Sequence, residues 1–127
     1  MSLLHYPKPM SFLQRIALIA ALALPLAAQP EQQLYVVTYI DVFPMFAADT
    51  AKALQDFRNA SSKDPGYVRI DVIRDVDRTN HFAITEVWKT RKDYEAHLAQ
   101  SHTKQFREKI QPGLGSPFDE RLYHTLP

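Results

Sequence analysis

Three features of the sequence predict an α+β fold, with one antiparallel sheet carrying helices on a single face. Segments rich in β-branched and aromatic residues interleave with amphipathic ones in the order β-α-β-β-α-β. The middle two strand candidates are joined by a short polar loop, the connection of an antiparallel hairpin. The chain has 127 residues, 46% hydrophobic and 23% charged, which suffices for one modest core and leaves no room for a separate cofactor domain.

The elements follow in order. Leu34 to Phe43 includes Val36, Val37, Tyr39 and Ile40 and reads as the first strand, closed by Pro44. From Ala47 to Ser61, Ala47, Ala51, Leu54 and Phe57 recur near the helical period among polar residues, so this stretch is an amphipathic helix. Pro65-Gly66 is a turn pair in which Gly66 is free to take positive φ. Tyr67 to Asp75 alternates, with Val68, Ile70 and Val72 on one face and Tyr67, Arg69, Asp71 and Ile73 on the other. Asp75 to Asn80 is the polar hairpin loop. His81 to Trp88 forms the third strand, with Phe82, Ile84, Glu86 and Trp88 sharing a face. Thr90 is an N-cap with Asp93 three residues on. A helix runs from Arg91 to about Ile110, with a kink expected near Gln100-Ser101. Pro112 to Pro117 is a loop, and Arg121 to Leu126 is the last strand.

This order is that of a ferredoxin-like, split βαββαβ protomer. The sheet face away from the helices needs a cover. It carries either Val36, Thr38, Ile40 and Val42 or the mixed set Arg69, Asp71 and Ile73. A second copy of the chain is the simplest cover, so a homodimer is expected.

Residues 1–30 read as a secretory signal peptide or an N-terminal anchor. Lys8 and Arg15 precede a stretch, Ile16 to Pro30, without a charged residue. Its apolar run suits a signal-peptide core and falls short of the roughly 20 residues of a membrane-spanning helix. Met10 is an alternative start, and cleavage is expected near Ala27 or Ala28. The folded domain is then 31–127, exported to the periplasm or secreted, with membrane contact only through an uncleaved signal.

Composition excludes several functions. The chain has no cysteine, which removes disulfides, thiolate metal sites and cysteine nucleophiles. Its three glycines, Gly66, Gly113 and Gly115, build neither a P-loop nor a dinucleotide fingerprint. A net charge of +1 without a basic stripe argues against nucleic acid as a partner. No Gly-x-Ser-x-Gly elbow supports serine hydrolysis.

Chemistry concentrates between Glu86 and Phe106. Tyr94, His97, Leu98 and Ser101 lie at i, i+3, i+4 and i+7, while His102, Phe106 and Ile110 lie at i, i+4 and i+8, so both histidines sit on apolar stripes. If Phe82 and Ile84 face the helices, so do Glu86 and Trp88. A carboxylate, an indole and two imidazoles would then line one cavity, with Tyr67 and Tyr39 within reach of its walls. Such a cavity suits a flat aromatic ligand, and an imidazole there can take or give a proton near neutral pH. His97 and His102 are five residues apart, about 140° around a straight helix. A two-histidine, one-carboxylate metal set with Glu86 would therefore require the kink, and no metal is expected.

Pro65-Gly66-Tyr67, Phe82 with Glu86-x-Trp88, Tyr94-Glu95-Ala96-His97, and Ser101-His102 with Phe106 together resemble the antibiotic biosynthesis monooxygenase (ABM) family. The quinol monooxygenase subgroup is the nearest in pattern. The resemblance spans about residues 34–125. It implies a dimeric α/β barrel of two ferredoxin-like protomers, and oxygenation of phenolic or quinol-like substrates by O2 without flavin, haem or metal. On that footing His97, His102 and Glu86 are the expected catalytic residues, with His97 the proton acceptor. Trp88, Tyr67, Tyr39 and Phe106 are the expected substrate contacts. Haem-degrading relatives of this fold use a first-strand Asn, a helix Trp and a following His. Here those helix places fall at His97 and near Arg107, and Leu34 to Phe43 has no Asn, so haem degradation is not implied. The alternative reading is a non-catalytic dimeric barrel that binds an apolar small molecule in the envelope or in a stress response.

Overall fold

The alternation read in the strands sets up the whole molecule. In the computed structural model, which describes residues 31–127, the strands are β1 (Leu34–Asp41), β2 (Tyr67–Arg74), β3 (His81–Trp88) and β4 (Asp119–Tyr123). The helices are α1 (Ala47–Ser61), α2 (Arg91–Leu98) and α3 (Ser101–Ile110), with short 3-10 turns at Pro44–Phe46 and Gln111–Gly113. The sheet order is β2-β3-β1-β4 and every neighbouring pair is antiparallel, which is the ferredoxin-like α+β arrangement. The expected signal segment, residues 1–30, lies outside the described residues.

Burial alternates strictly along β3, so Phe82, Ile84, Glu86 and Trp88 all face the helices. Antiparallel register then places Leu34, Val36, Thr38 and Ile40 of β1 on the same face, opposite Trp88, Glu86, Ile84 and Phe82. The core is closed from above by Ala53, Leu54 and Phe57 of α1, Tyr94 of α2, and Phe106 and Ile110 of α3. Each large side chain buried this way contributes about 1.5–3 kcal/mol of apolar transfer.

The register resolves which sheet face is uncovered. Val36, Thr38 and Ile40 belong to the core, so the outward set is Arg69, Asp71 and Ile73 with Val37, Tyr39, Thr85, Val87 and Tyr123. Ile73 is 52% exposed and Tyr39 and Tyr123 are 45% exposed, an apolar content unusual for a sheet face that meets water.

One register shift and several element ends differ from the sequence reading. A β-bulge opposes Tyr67 to Trp88 and Arg69 to Val87, leaving Val68 as the extra residue. That one-residue insertion moves Tyr67 from the outer set onto the helix face. β1 stops at Asp41 because its partner β3 begins at His81; beyond that pair only the Val42 N–H continues the pairing, donating to the Asn80 carbonyl at 3.0 Å. β4 begins at Asp119 and ends at Tyr123, its ladder with β1 running only from the Tyr39–Asp119 pair to the Tyr35–Tyr123 pair. The expected long helix is two helices, broken at Ala99 and Gln100.

Candidate active site

The break between α2 and α3 is what assembles the site. Thr90 accepts a hydrogen bond from the Asp93 N–H at 3.0 Å and starts α2, putting Tyr94 and His97 on its inner face. Gln100 then takes an extended conformation, ψ 145°, and α3 starts in a new direction. On one straight helix the two imidazoles would diverge. Across the break their ring centroids are 6.0 Å apart.

Asp64 bridges the two. This residue ends the turn after α1, where its carbonyl accepts from the Tyr67 N–H at 3.2 Å. One carboxylate oxygen, Oδ2, lies 2.7 Å from His97 Nδ1 and 2.8 Å from His102 Nε2. An ionised carboxylate only accepts, so each of those nitrogens carries its proton toward Asp64. In neutral rings the bare nitrogens are therefore His97 Nε2 and His102 Nδ1. His97 Nε2 faces Glu86 Oε1 at 3.5 Å, a contact too long to count as a good hydrogen bond. Thr103 Oγ1 stands 3.4 Å from His97 Nδ1.

His97 is sealed. Its ring stacks on Trp88 with centroids 4.5 Å apart and planes 30° apart, and Phe57 lies 5.5 Å away on a tilt. The His97 side chain is 1% exposed while that of His102 is 26% exposed. Burial holds the His97 imidazole below its ordinary value, more strongly than the Asp64 carboxylate pulls it up, with His102 and Arg107 also opposing its charge. Burial likewise pushes the Glu86 carboxyl up to about 7. The Trp88 indole and the Arg107 guanidinium favour its ionised form, and the Glu120 charge disfavours it. Three buried polar atoms here have no hydrogen-bond partner: Glu86 Oε1, Trp88 Nε1 and Tyr94 Oη. Groups so placed are uncommon in folded cores and mark a place where structure has been given up for something else.

His102 opens onto a cleft of about 200 Å³ between α1 and α3. Ala53, Phe57, Ala60 and Phe106 give it apolar walls, and Gln105 stands with His102 among its polar groups. Phe57 and Phe106 stack at 4.5 Å.

The expected residues thus divide. Glu86, Trp88, His97 and His102 come together, and Tyr67 meets the Trp88 edge at 6.2 Å. Phe106 reaches the cleft. Tyr39 does not join them: it projects from the opposite sheet face, with Arg121 5.3 Å over its ring. The space foreseen between Trp88 and the histidines is filled by their own stacking. Asp64 and Phe57 were not foreseen as site residues. An acidic residue directly before Pro65-Gly66 was the only local signal for Asp64.

The family comparison matches this arrangement. The family model for antibiotic biosynthesis monooxygenases matches residues 33–109, which include Asp64, Glu86, Trp88 and both histidines. The chain belongs to the antibiotic biosynthesis monooxygenase family. Solved structures agree with this ABM fold. A Nitrosomonas europaea protein described as a candidate antibiotic biosynthesis monooxygenase is 24% identical, with a TM-score of 0.72 over 76% of this chain and 92% of that one. SnoaB from Streptomyces nogalater, a cofactor-independent oxygenase, is 17% identical, with a TM-score of 0.66 over 74% and 93%. Rv0793 from Mycobacterium tuberculosis is 15% identical, with a TM-score of 0.70 over 75% and 96%. At these identities the likeness is one of fold. No curated protein matches the ABM chain in sequence. The family match supports a monooxygenase-type role.

Proposed function

We propose that this ABM protein is an exported, homodimeric, cofactor-independent monooxygenase that oxidises a quinol-like aromatic small molecule with O2. The observation that carries the reading is Asp64 accepting a hydrogen bond from each of two imidazoles, one of which borders an aromatic-walled cleft. His102 Nε2 is committed to Asp64, so its Nδ1 lone pair is the free one. In a carboxylate–imidazole pair the carboxylate fixes the tautomer and stabilises the imidazolium that forms. A phenolic hydroxyl entering the cleft loses its proton to His102; the electron-rich anion adds O2 at a ring C–H carbon, and the peroxide so formed takes the proton back and loses water to leave a carbonyl there, the substrate itself supplying the electrons. His97, sealed behind Asp64, holds that carboxylate in place. The cleft is smaller than the usual ligand pocket of about 300–1,000 Å³, which favours a single-ring substrate over a polycyclic one.

Export is supported by the charge-free stretch from Ile16 to Pro30. The dimer is supported by the apolar side chains on the outward sheet face. The test is oxygen consumption by chelator-treated protein with a panel of reduced quinols, beside His102→Ala and His97→Ala. Uptake that falls at least about tenfold in His102→Ala, a loss of about 1.4 kcal/mol in transition-state stabilisation, is the expected result. No uptake above background by wild type with any panel member would refute the oxygenase reading and favour a module that binds an apolar molecule without turning it over.

A further inference from the structure

Asp64, His97 and His102 reach one point from three separate parts of the fold: the turn before β2, the last turn of α2 and the first turn of α3. One donor atom from each of the three, a carboxylate oxygen and two imidazole nitrogens, lies within 4.8 Å of the other two. We propose that these three side chains form a binding site for a divalent first-row transition-metal ion, with Glu86 supporting His97 from behind.

The donor set has the chemistry for it. Two imidazole nitrogens and one carboxylate oxygen suit zinc, cobalt and iron(II), and leave positions open for water. Zinc bonds of about 2.1 Å in tetrahedral geometry hold donors about 3.4 Å apart. The two short edges, 2.7 and 2.8 Å, would thus open by about 0.6–0.7 Å, and the third, no longer than 4.8 Å, would close by at most about 1.4 Å, in exchanging shared protons for an ion. No backbone need move that far, because each donor sits at the end of a rotatable side chain.

The independent observation lies on the other side of the His97 ring. A metal-bound imidazole characteristically donates its second N–H to a carboxylate. Glu86 Oε1 stands 3.5 Å from His97 Nε2, on a side chain 4% exposed, and has no hydrogen-bond partner. A buried carboxylate oxygen left without a donor is costly. With an ion on Nδ1, the His97 proton moves to Nε2 and Glu86 gains the donor it lacks. An ion here also takes up the Asp64 and imidazole atoms of the proposed proton transfer. Metal and proton therefore compete, and bound metal would oppose cofactor-free turnover, a consequence that rests on that reading.

Cobalt(II) tests the site optically and without substrate, so its outcome is independent of oxygenase activity. Full-length, chelator-treated protein titrated with Co2+ should develop visible d–d bands that saturate at one ion per chain and bleach when Zn2+ is added. His102→Ala, a part-exposed position that should fold normally, and Asp64→Asn should each weaken Co2+ binding at least about tenfold. Glu86→Gln should weaken it by about 10–100-fold while the far-ultraviolet circular dichroism of the metal-free protein is unchanged. Absence of a saturable band in wild type, or an equally strong band in His102→Ala, would overturn the proposal, the latter by placing the ion on other histidines such as His81 or His124.

Discussion

Replacing Glu86 by Gln should make the protein more stable at alkaline pH and leave it little changed at acid pH. Burial carries the Glu86 carboxyl from 4.5 to about 7 in the folded protein. Each pK step is worth about 1.4 kcal/mol, so ionising Glu86 costs the folded state about 3 kcal/mol relative to the unfolded chain. The sign follows from proton binding. Between pH 4.5 and about 7 the folded state holds a proton that the unfolded state has lost, so stability falls as pH rises through that window. It is fully present below the unfolded value. His97, lowered by burial, acts in the opposite sense and weakens the fold as pH drops below its ordinary value. That contribution is common to both proteins and cancels in their difference. The other charged or titratable groups near Glu86 are Tyr94, Arg107 and Glu120, and the substitution leaves them in place. The assay is urea unfolding of chelator-treated wild type and Glu86→Gln at pH 5 and pH 8.5, at one protein concentration because dimerisation would add to stability. The variant should gain about 3 kcal/mol on the wild type between those two pH values. A difference that stays within about 0.5 kcal/mol across the range would show that Glu86 is not held neutral by burial, and the argument would fail.

Three further outcomes are expected. Gly66 has φ +79°, and a Cβ there would collide with the Asp93 side chain. Gly66→Ala should therefore lose about 1–2 kcal/mol from the backbone alone, and more because Asp93 must release Thr90, to which it is bonded at 2.9 Å. A melting temperature equal to that of wild type would refute this. Sedimentation of the wild type should give a dimer at micromolar concentration, and Ile73→Arg on the uncovered sheet face should shift it toward monomer while preserving the far-ultraviolet circular dichroism. A wild type that sediments as a monomer would sink the barrel arrangement. In the oxygen-uptake assay, Tyr39→Phe should leave the rate within about twofold of wild type if no partner chain brings that ring to a site, because it lies on the sheet face opposite His102.

Much of the site was legible because strands and helices repeat with fixed periods. Glu86 and Trp88 had to share the face of Phe82 and Ile84, since side chains two residues apart on a strand point the same way. His97 and His102 had to sit on apolar stripes for the corresponding reason in a helix. The Thr90 cap was readable because the hydroxyl and the Asp93 N–H it receives are three residues apart. Tyr67 was misplaced because one extra residue in the β2 ladder inverts the parity of everything before it, and no residue in Tyr67-Val68-Arg69 announces a bulge.

The sequence by itself determined the element order, the inward face of β3 and the membership of this chain in its family's pattern. Those depend on neighbours a few bonds away. Tertiary structure alone decided that Asp64, 33 residues from His97 and 38 from His102, would be their shared partner. It also decided that the kink expected near Gln100 would be a full break, turned so that both rings reach that carboxylate, and that His97 would be sealed while His102 meets the cleft. A hydrogen bond between distant side chains is set by where packing leaves their donors and acceptors. That information lies in the arrangement of the whole core and in no local stretch of the chain.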